Sequence, residues 1–138
     1  MQDTNPQQAA AFAFRRTRGA TEICLIRKKD SETWGIPKGL VDPGDTLEET
    51  ALQESWEEAG PRGRLTGESI GCSEYEKWGS RFRVAVLLLE VVQEEEDWEE
   101  ASVRERRWSS LDAAFARLAS HPVHPLLDRA RAVLGQPV

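Results

Sequence analysis

Apolar and polar residues follow one another in blocks that are typical of β-strands separated by turns. Residues 10–16 and 21–28 are rich in β-forming side chains and flank the turn-forming stretch RTRGA, so they predict a β-hairpin. Residues 64–78 are expected to be extended, and a turn at Gly79 leads into residues 81–92. This last stretch, RFRVAVLLLEVV, is almost continuously apolar and has the length of a strand. It therefore predicts a central strand that is covered on both faces.

Helical signals appear between the hairpin and the extended stretch. Thr46 followed by Glu49 fits a capping box, which predicts that a helix begins at Leu47. Gly60, followed by a proline, is a typical helix end. The stripe of this helix that is expected to pack inward consists of Ala51, Leu52, Ser55, Trp56 and Ala59.

The second half of the chain continues the mixture of strands and helices. Residues 102–110 predict a further strand, and helical spacing of apolar residues predicts helices over 111–119 and 125–134. This order implies a mixed sheet covered by helices. At 138 residues the chain suits one domain that buries about two-thirds of its unfolded surface. We expect that domain to cover residues 9–138, after a flexible polar segment of residues 1–8.

Three carboxylates lie on one side of the first predicted helix. Glu54, Glu57 and Glu58 are spaced so that their side chains fall within roughly 100° of arc. Like charges at this spacing repel one another, and a hard divalent cation such as Mg²⁺ or Mn²⁺ makes such a cluster favourable. The alternative is a solvated acidic face that binds nothing.

The loop in front of the helix favours the metal site over the solvated face. Residues 33–45, TWGIPKGLVDPGD, combine glycines, which permit close backbone approach, with prolines, which stiffen the turns between them. Backbone groups of such a loop can meet the oxygens of a polyanion, and Lys38 beside Gly39 is placed to contact a phosphate. A stiff loop next to clustered carboxylates suits the chemistry of phosphate esters and phosphoanhydrides.

This loop and helix resemble the Nudix box, the loop-helix-loop signature of the Nudix hydrolases. The matching positions are Gly39, Glu54, Glu57, Glu58 and Gly60, and the departures are Asp45, Gln53, Ser55 and Pro61. In the family the residues that Asp45 and Gln53 replace commonly pair and brace the loop against the helix. The resemblance therefore implies a loop brace made by a shorter hydrogen bond between Asp45 and Gln53.

The resemblance extends from about Ala11 to the C-terminus. The order of segments, including LLLEVVQEEEDWEE and HPVHPLLDRARAVL, is similar to the diphosphoinositol polyphosphate phosphohydrolase and dinucleoside polyphosphate hydrolase branch. The fold that this implies is an α/β/α sandwich with a mixed β-sheet between helices. The implied activity is the divalent-metal-dependent hydrolysis of a phosphoanhydride bond. The substrate would be a nucleoside polyphosphate, a dinucleoside polyphosphate or a diphosphoinositol polyphosphate.

The resemblance also implies roles for the acidic residues. Glu57 and Glu58 would hold Mg²⁺ or Mn²⁺, and Glu54 would share a metal or accept a proton from the attacking water. A further metal-binding carboxylate from outside the helix is common in the family, and the candidates are Glu99, Glu100 and Glu105. Because the two bracing positions differ together, a second hypothesis is a degenerate Nudix domain. Such a domain would sense a nucleotide or an inositol phosphate without efficient hydrolysis.

Charge is unevenly distributed along the chain, whose formal net charge is −6. Six of the seven residues from Glu94 to Glu100 are acidic and are expected to form a solvated loop. Basic residues elsewhere could bind substrate phosphates. With Lys38 and Gly39, the predicted substrate-binding residues are Arg27, Arg81 and Arg83. The acidic balance argues against a nucleic-acid partner, so the expected partner is a small phosphorylated molecule.

The remaining features predict a cytoplasmic protein that does not bind membranes. No apolar run approaches the roughly 20 residues needed to span a bilayer, and the polar N-terminus lacks a hydrophobic signal core. Cys24 and Cys72 lie in apolar strand-like stretches and predict free, buried thiols. His121 and His124 alternate with prolines and are interpreted as part of a rigid connector rather than as catalytic or metal-binding residues.

Overall fold

The computed structural model describes residues 6–135, apart from the side chain of Glu68. Within that range the chain forms six strands, three α-helices and one turn of 3₁₀-helix. In chain order they are β1 (Gln8–Thr17), β2 (Ala20–Lys28), β3 (Lys38–Leu40), α1 (Leu47–Ala59), β4 (Pro61–Lys77), β5 (Ser80–Glu94), β6 (Arg104–Ser110), α2 (Leu111–Arg117), the 3₁₀ turn (His124–Leu126) and α3 (Leu127–Leu134).

The strands form one mixed sheet in the order β4-β5-β1-β2-β6. β1 and β5 run parallel, whereas β1 with β2, β2 with β6, and β4 with β5 run antiparallel. The short β3 pairs antiparallel with the start of β1. The predicted hairpin, the extended stretch and the strand after it are confirmed as β1–β2, β4 and β5.

Two hydrophobic cores lie on opposite faces of this sheet because successive side chains of a strand point to opposite sides. Along β1, Ala10, Phe12 and Phe14 belong to the core that α2 and α3 cover. The alternate residues of β1 belong to the core that α1 covers; they are Ala9, Ala11 and Ala13. β5 contributes to both cores, as predicted for a central strand. The predicted α/β/α sandwich is therefore confirmed.

Helix α1 begins and ends where the sequence predicts. Thr46 and Glu49 form the complete capping box, and Gly60 adopts a left-handed conformation with φ of 89° at the C-terminal end. The predicted inward stripe is wrong in part, because Leu52 and Trp56 are 38% and 40% exposed. β1 presents only alanines to this helix, so the helix lies close to the sheet and small side chains occupy its central contact. The buried residues of α1 are Thr50, Ala51, Ser55, Glu58 and Ala59.

Three further predictions concern the chain ends and the cysteines. Residues 1–5 of the predicted flexible segment lie outside the described residues, whereas Gln8 already opens β1. No helix within residues 6–135 is long and apolar enough to cross a membrane. Both thiols are free, but only Cys24 is buried; Cys72 is partly exposed because it lies on β4, at the edge of the sheet.

Candidate active site

Gly39 and Glu54 are in direct contact because α1 packs across β3. Gly39 pairs with Ala9 in the sheet, so its backbone position is fixed. A Cβ atom at position 39 would overlap the Glu54 carboxylate and would lie only 2.7 Å from Cγ of Glu54. The glycine is therefore required by the side chain of Glu54, which lies directly against the backbone of the loop.

Glu58 is the most buried acid of α1, with 5% of its surface exposed. Burial, together with a hydrogen bond with the Glu54 side chain, raises the pKa of Glu58 to about 9. The Arg104 guanidinium, whose Nη2 lies 3.6 Å from Glu58 Oε1, opposes this rise in pKa. The raised pKa favours the protonated form of Glu58, whose carboxyl group lies beside that of Glu54.

Glu57 points toward a second group of acids outside the helix. Among residues 6–135, the carboxylates of Glu57, Glu99 and Glu100 have oxygen atoms within 4.8 Å of one another. The Glu100 backbone N–H donates to the Glu57 carbonyl at 3.1 Å, which fixes this pair of acids to the helix. Such a set of carboxylate oxygens fits a hard divalent cation. Of the candidates for an additional metal-binding carboxylate, Glu99 and Glu100 meet Glu57, whereas Glu105 pairs with Arg27 at 2.6 Å.

The acidic segment after β5 is only in part the solvated loop that its composition predicts: Glu96, Asp97 and Glu99 are exposed, but other residues pack on the protein. Glu94 belongs to β5 and accepts a hydrogen bond from Trp108 Nε1 at 2.6 Å. Trp98 Nε1 donates to the Glu58 carbonyl at 2.9 Å, at the last turn of α1. These tryptophan contacts fold the segment back onto the helix, and composition alone does not show them.

The predicted loop brace between Asp45 and Gln53 is not formed among the residues that the structure describes. Gln53 Nε2 instead donates to Glu57 Oε1 at 2.8 Å, one helical turn further along. The Asp45 backbone N–H bonds to the Asp42 carbonyl at 3.0 Å and closes a turn within the loop. Gln53 therefore orients an acidic side chain of the site rather than the loop.

A cavity of about 450 Å³ opens beside Glu58 and is surrounded by positive charge. Of the predicted substrate-binding residues, Arg27 and Lys38 line it. Lys38 Nζ donates to the Tyr75 hydroxyl at 2.8 Å, and that hydroxyl donates to Gln8 Oε1 at 2.8 Å. The further cations that line the cavity are Lys28, Lys77 and Arg104.

Arg81 and Arg83 are not among the residues that line this cavity. Arg81 pairs with Glu74 and Glu76 on the exposed side of the β4–β5 hairpin. The backbone N–H of Arg83 donates to Gln7 Oε1 at 2.9 Å, which ties β5 to the start of the chain. The predicted substrate contact of Arg81 has no support from its side-chain contacts, and that of Arg83 stays a prediction.

His121 lines the cavity, although the sequence indicated only a connector. The Val123 backbone N–H donates to its Nδ1 at 3.0 Å. Burial, and to a lesser degree the charge of Lys38, lower the pKa of His121 to about 4. The sequence offered one signal for His121, which is that histidine is rare in this chain and occurs only twice.

Comparison with known protein families shows to which family the chain belongs. The model of the NUDIX domain matches residues 6–129. The chain belongs to the Nudix family. A mouse Nudix relative, diphosphoinositol polyphosphate phosphohydrolase 3-alpha, is 31% identical over 121 residues, which are 86% of this chain and 73% of that protein. The human protein of the same name matches with the same identity and the same coverage. Both relatives are named as phosphohydrolases, and the prediction of a Nudix pyrophosphohydrolase is confirmed at this level.

Solved structures show the same fold. A Caenorhabditis elegans Ap4A hydrolase in a binary complex superposes with a TM-score of 0.76 at 23% identity, covering 95% of this chain and 98% of that chain. A NUDIX hydrolase from Nitrosomonas europaea gives 0.67 at 18% identity, covering 96% and 92%. At these identities the likeness concerns the fold, and it agrees with the sandwich described above.

Proposed function

We propose that this Nudix protein hydrolyses a phosphoanhydride bond in a polyphosphorylated small molecule, with Mg²⁺ or Mn²⁺ as its cofactor. The observation that carries the proposal is that one cavity of about 450 Å³ is lined by the buried Glu58 and by five cationic side chains. Cationic groups bind phosphoryl oxygens, and carboxylates bind divalent ions. The cavity therefore places phosphate-binding cations beside one of the predicted metal-binding acids.

The acidic residues fit a divalent ion, because carboxylate oxygens of Glu57, Glu99 and Glu100 lie within 4.8 Å of one another. Glu57, Glu99 and Glu100, together with Glu58, would hold it. Once bound, the ion would neutralise phosphoryl oxygens and lower the pKa of water. Glu54 hydrogen-bonds with Glu58 and lies against Gly39, so it shares the ion or accepts the proton of the attacking water.

The cationic residues favour a substrate with several phosphates. Lys38 and Arg27 would bind the phosphates beyond the one attacked, which holds the scissile bond in place. A second cavity, of about 440 Å³, shares Lys28 and Arg104 with the first. A nucleoside polyphosphate, a dinucleoside polyphosphate or a diphosphoinositol polyphosphate fits this description. The names of the relatives favour the diphosphoinositol compounds.

A substrate panel tests the proposed reaction. The three compound classes are incubated with Mg²⁺ or Mn²⁺ in ¹⁸O-labelled water, and products are identified by phosphorus NMR. We expect one class to be hydrolysed with the label on a phosphate product, because no covalent enzyme intermediate is required. Absence of hydrolysis with every compound and both ions would refute the proposal.

Two substitutions test the acidic residues. Glu57→Gln and Glu58→Gln keep the size of the side chain and remove its charge, so we expect kcat/KM to fall about 100-fold or more. Glu48→Gln is the matched control, since Glu48 is an exposed acid on the same helix. Wild-type rates for both site variants on every active substrate would refute the assignment.

A sensor function is the second candidate, because the brace between Asp45 and Gln53 is not formed within residues 6–135. Restoring Glu at position 45 and Arg at position 53 distinguishes the two functions. A large gain in rate from a poorly active wild type would indicate a decayed enzyme that now binds rather than cleaves. Rapid turnover by the wild type would exclude the sensor.

A further inference from the structure

His121 lies in the segment between α2 and α3, at the edge of the cationic cavity. Its backbone is held on both sides, because its N–H donates to the Leu118 carbonyl at 3.0 Å and its carbonyl accepts from the His124 N–H at 2.9 Å. The residue is half-buried and lines the same cavity as Glu58 and Lys38. The position of the imidazole is therefore fixed by the fold.

One hydrogen bond selects the tautomer of this ring. Nδ1 accepts the Val123 backbone N–H at 3.0 Å, and a ring nitrogen that accepts a hydrogen bond carries no proton. The hydrogen of the neutral imidazole is consequently on Nε2. Proline at position 122 stiffens the short segment that brings Val123 back to the ring.

Nε2 is directed toward Gly35, on the opposite wall of the cavity. A Cβ atom at position 35 would lie 3.2 Å from Nε2, closer than ordinary contact. Gly35 is itself held in place, because its N–H and carbonyl bond with Ile26 at 2.8 and 3.0 Å. Within residues 6–135 the structure records no protein acceptor for the Nε2 hydrogen, and Nε2 is not among the buried atoms that lack a partner, so a molecule in the cavity can accept this hydrogen.

The charges around the ring favour its neutral form. The titratable and charged groups that share the cavity with His121 are Arg27, Lys28, Lys38, Lys77, Arg104 and Glu58. Burial and the Lys38 charge lower the pKa of His121 to about 4, so the imidazole is uncharged at neutral pH. A neutral N–H among several cations adds a directional hydrogen bond without adding a further positive charge.

We propose that His121 is a substrate-binding residue that donates a hydrogen bond from Nε2–H to a phosphoryl oxygen of the substrate. The inference rests on the proposed function, since a phosphorylated substrate is what the cationic cavity would hold. It assigns to the α2–α3 segment a direct contact with substrate, in addition to its structural role.

The first experiment is nitrogen NMR of the two imidazole rings. Loss of one signal in His124→Gln assigns the other to His121, and methylenediphosphonate with Mg²⁺ serves as the non-hydrolysable probe. We expect His121 to remain in the Nε2–H tautomer from pH 6 to 8, and its Nε2 signal to shift on addition of the probe while His124 stays unchanged. An Nδ1–H tautomer, or an imidazolium at pH 7, overturns the proposal whether or not the probe binds. An unshifted Nε2 signal with probe bound, as measured by calorimetry, also overturns it.

The second experiment uses steady-state kinetics with the best substrate of the panel. His121→Phe keeps a flat ring without a donor, and we expect KM to rise about fivefold to tenfold, with kcat nearly unchanged, for the loss of one hydrogen bond. His121→Gln provides an N–H at a similar position and should recover most of the affinity. His124→Gln should behave as wild type, because His124 is exposed and does not line the cavity.

A third variant tests the direction of Nε2 without changing the histidine. Gly35→Ala places a methyl group in front of Nε2, so we expect the same rise in KM with an unchanged melting temperature. Equal impairment in His121→Gln and His121→Phe would overturn the proposal, as would a loss confined to kcat with a changed pH profile. If the wild type hydrolyses nothing in the panel, the proposed function fails, while the tautomer and the probe titration still decide the role of His121.

Discussion

At the scale of single residues, the site depends on two carboxyl groups that are held closer together than two charges allow. Glu54 occupies the space that a side chain at position 39 would need, and Glu58 lies buried beside it. Desolvation favours the protonated form of Glu58, and Glu54 supplies its hydrogen-bond partner. The contact between Glu54 and Gly39 and the burial of Glu58 therefore fix the relative positions of the two carboxyl groups.

Gly39→Ala is expected to lower kcat/KM about 100-fold, because the added methyl group displaces the Glu54 carboxylate by a distance on the scale of 1 Å. Leu40→Ala is the matched control, since Leu40 is the exposed neighbour on the same strand. Steady-state rates and thermal melting of both variants check this expectation. Equal rates for Gly39→Ala and wild type would show that the Glu54 position does not matter.

Without metal, the Glu58→Gln variant should be more stable than the wild type, and this difference should grow as the pH rises. The pKa of Glu58 lies at about 9 in the folded chain, above the ordinary value of 4.5, so the folded state keeps a proton that the unfolded state releases. The wild type therefore loses stability from about pH 4.5 up to pH 9, while the uncharged glutamine does not.

Melting temperatures in a chelating buffer at pH 5, 7 and 9 measure this effect. The difference between Glu58→Gln and wild type should be small at pH 5 and largest at pH 9. A difference that is the same at all three values would mean that Glu58 titrates normally.

At the scale of secondary-structure elements, both tight hairpins place a non-glycine residue in a left-handed conformation. Trp78 has φ of 53° and is followed by Gly79 with φ of 76°. Arg18 and Gly19 repeat the arrangement with φ of 55° and 79° between β1 and β2. Two successive positive φ values are typical of a type I′ turn, which favours Asn-Gly. Neither Trp78 nor Arg18 suits its position, so these turns are strained elements in an otherwise regular sheet.

Trp78→Asn should raise stability by about 1 kcal/mol, because asparagine tolerates positive φ and the 87% exposed tryptophan loses little burial. For a chain of this size, that corresponds to a rise of roughly 2–4 °C in melting temperature. Val92→Asn is the control, since Val92 is exposed on a regular strand with no such strain and its replacement should not stabilise. An unchanged or lower melting temperature for Trp78→Asn would contradict this account.

At the scale of the whole molecule, the site is assembled from three distant parts of the sequence. Helix α1 provides Glu57, and the segment between β5 and β6 provides Glu99 and Glu100. Arg106 on β6 joins the two parts, because its Nη1 donates to the Ala59 carbonyl at 2.7 Å and to the Glu95 carbonyl at 2.8 Å. The same guanidinium lies 4.3 Å from the Trp98 ring centre. One side chain thus ties the acidic segment to the end of the helix.

Arg106→Met should destabilise the fold by about 2–4 kcal/mol, because two buried carbonyls lose a charged donor. It should also weaken Mn²⁺ binding, since Glu99 and Glu100 would be held against Glu57 only by the remaining contacts, such as the bond from the Glu100 N–H to the Glu57 carbonyl. Arg107→Met is the control, because Arg107 is the exposed neighbour on the same strand. Chemical denaturation and calorimetric Mn²⁺ titration measure the two effects; unchanged stability and affinity would show that Arg106 does not hold the segment.

Local signals in the sequence determined the secondary structure and half of the site. The capping box at Thr46, the left-handed Gly60 and the apolar run of β5 each depend on neighbours in the chain, so they predict the same structure in any context. The resemblance to the Nudix box rests on spacing along one loop and one helix. For the same reason it singled out Glu54, Glu57, Glu58 and Gly39, whereas Lys38 was inferred from its place beside that glycine.

The tertiary structure alone decided which distant groups meet. Sequence spacing could not show that Glu99 and Glu100 join Glu57, that Arg27 pairs with Glu105, or that Arg81 lies on the exposed side of the hairpin. It could not show that His121 lines the cavity either, because that position and the lowered pKa of the ring depend on burial and on Lys38, which is far away in sequence. Contacts across a sandwich form between residues far apart in sequence. Their energies depend on which faces pack together, and no local pattern of residues encodes that choice.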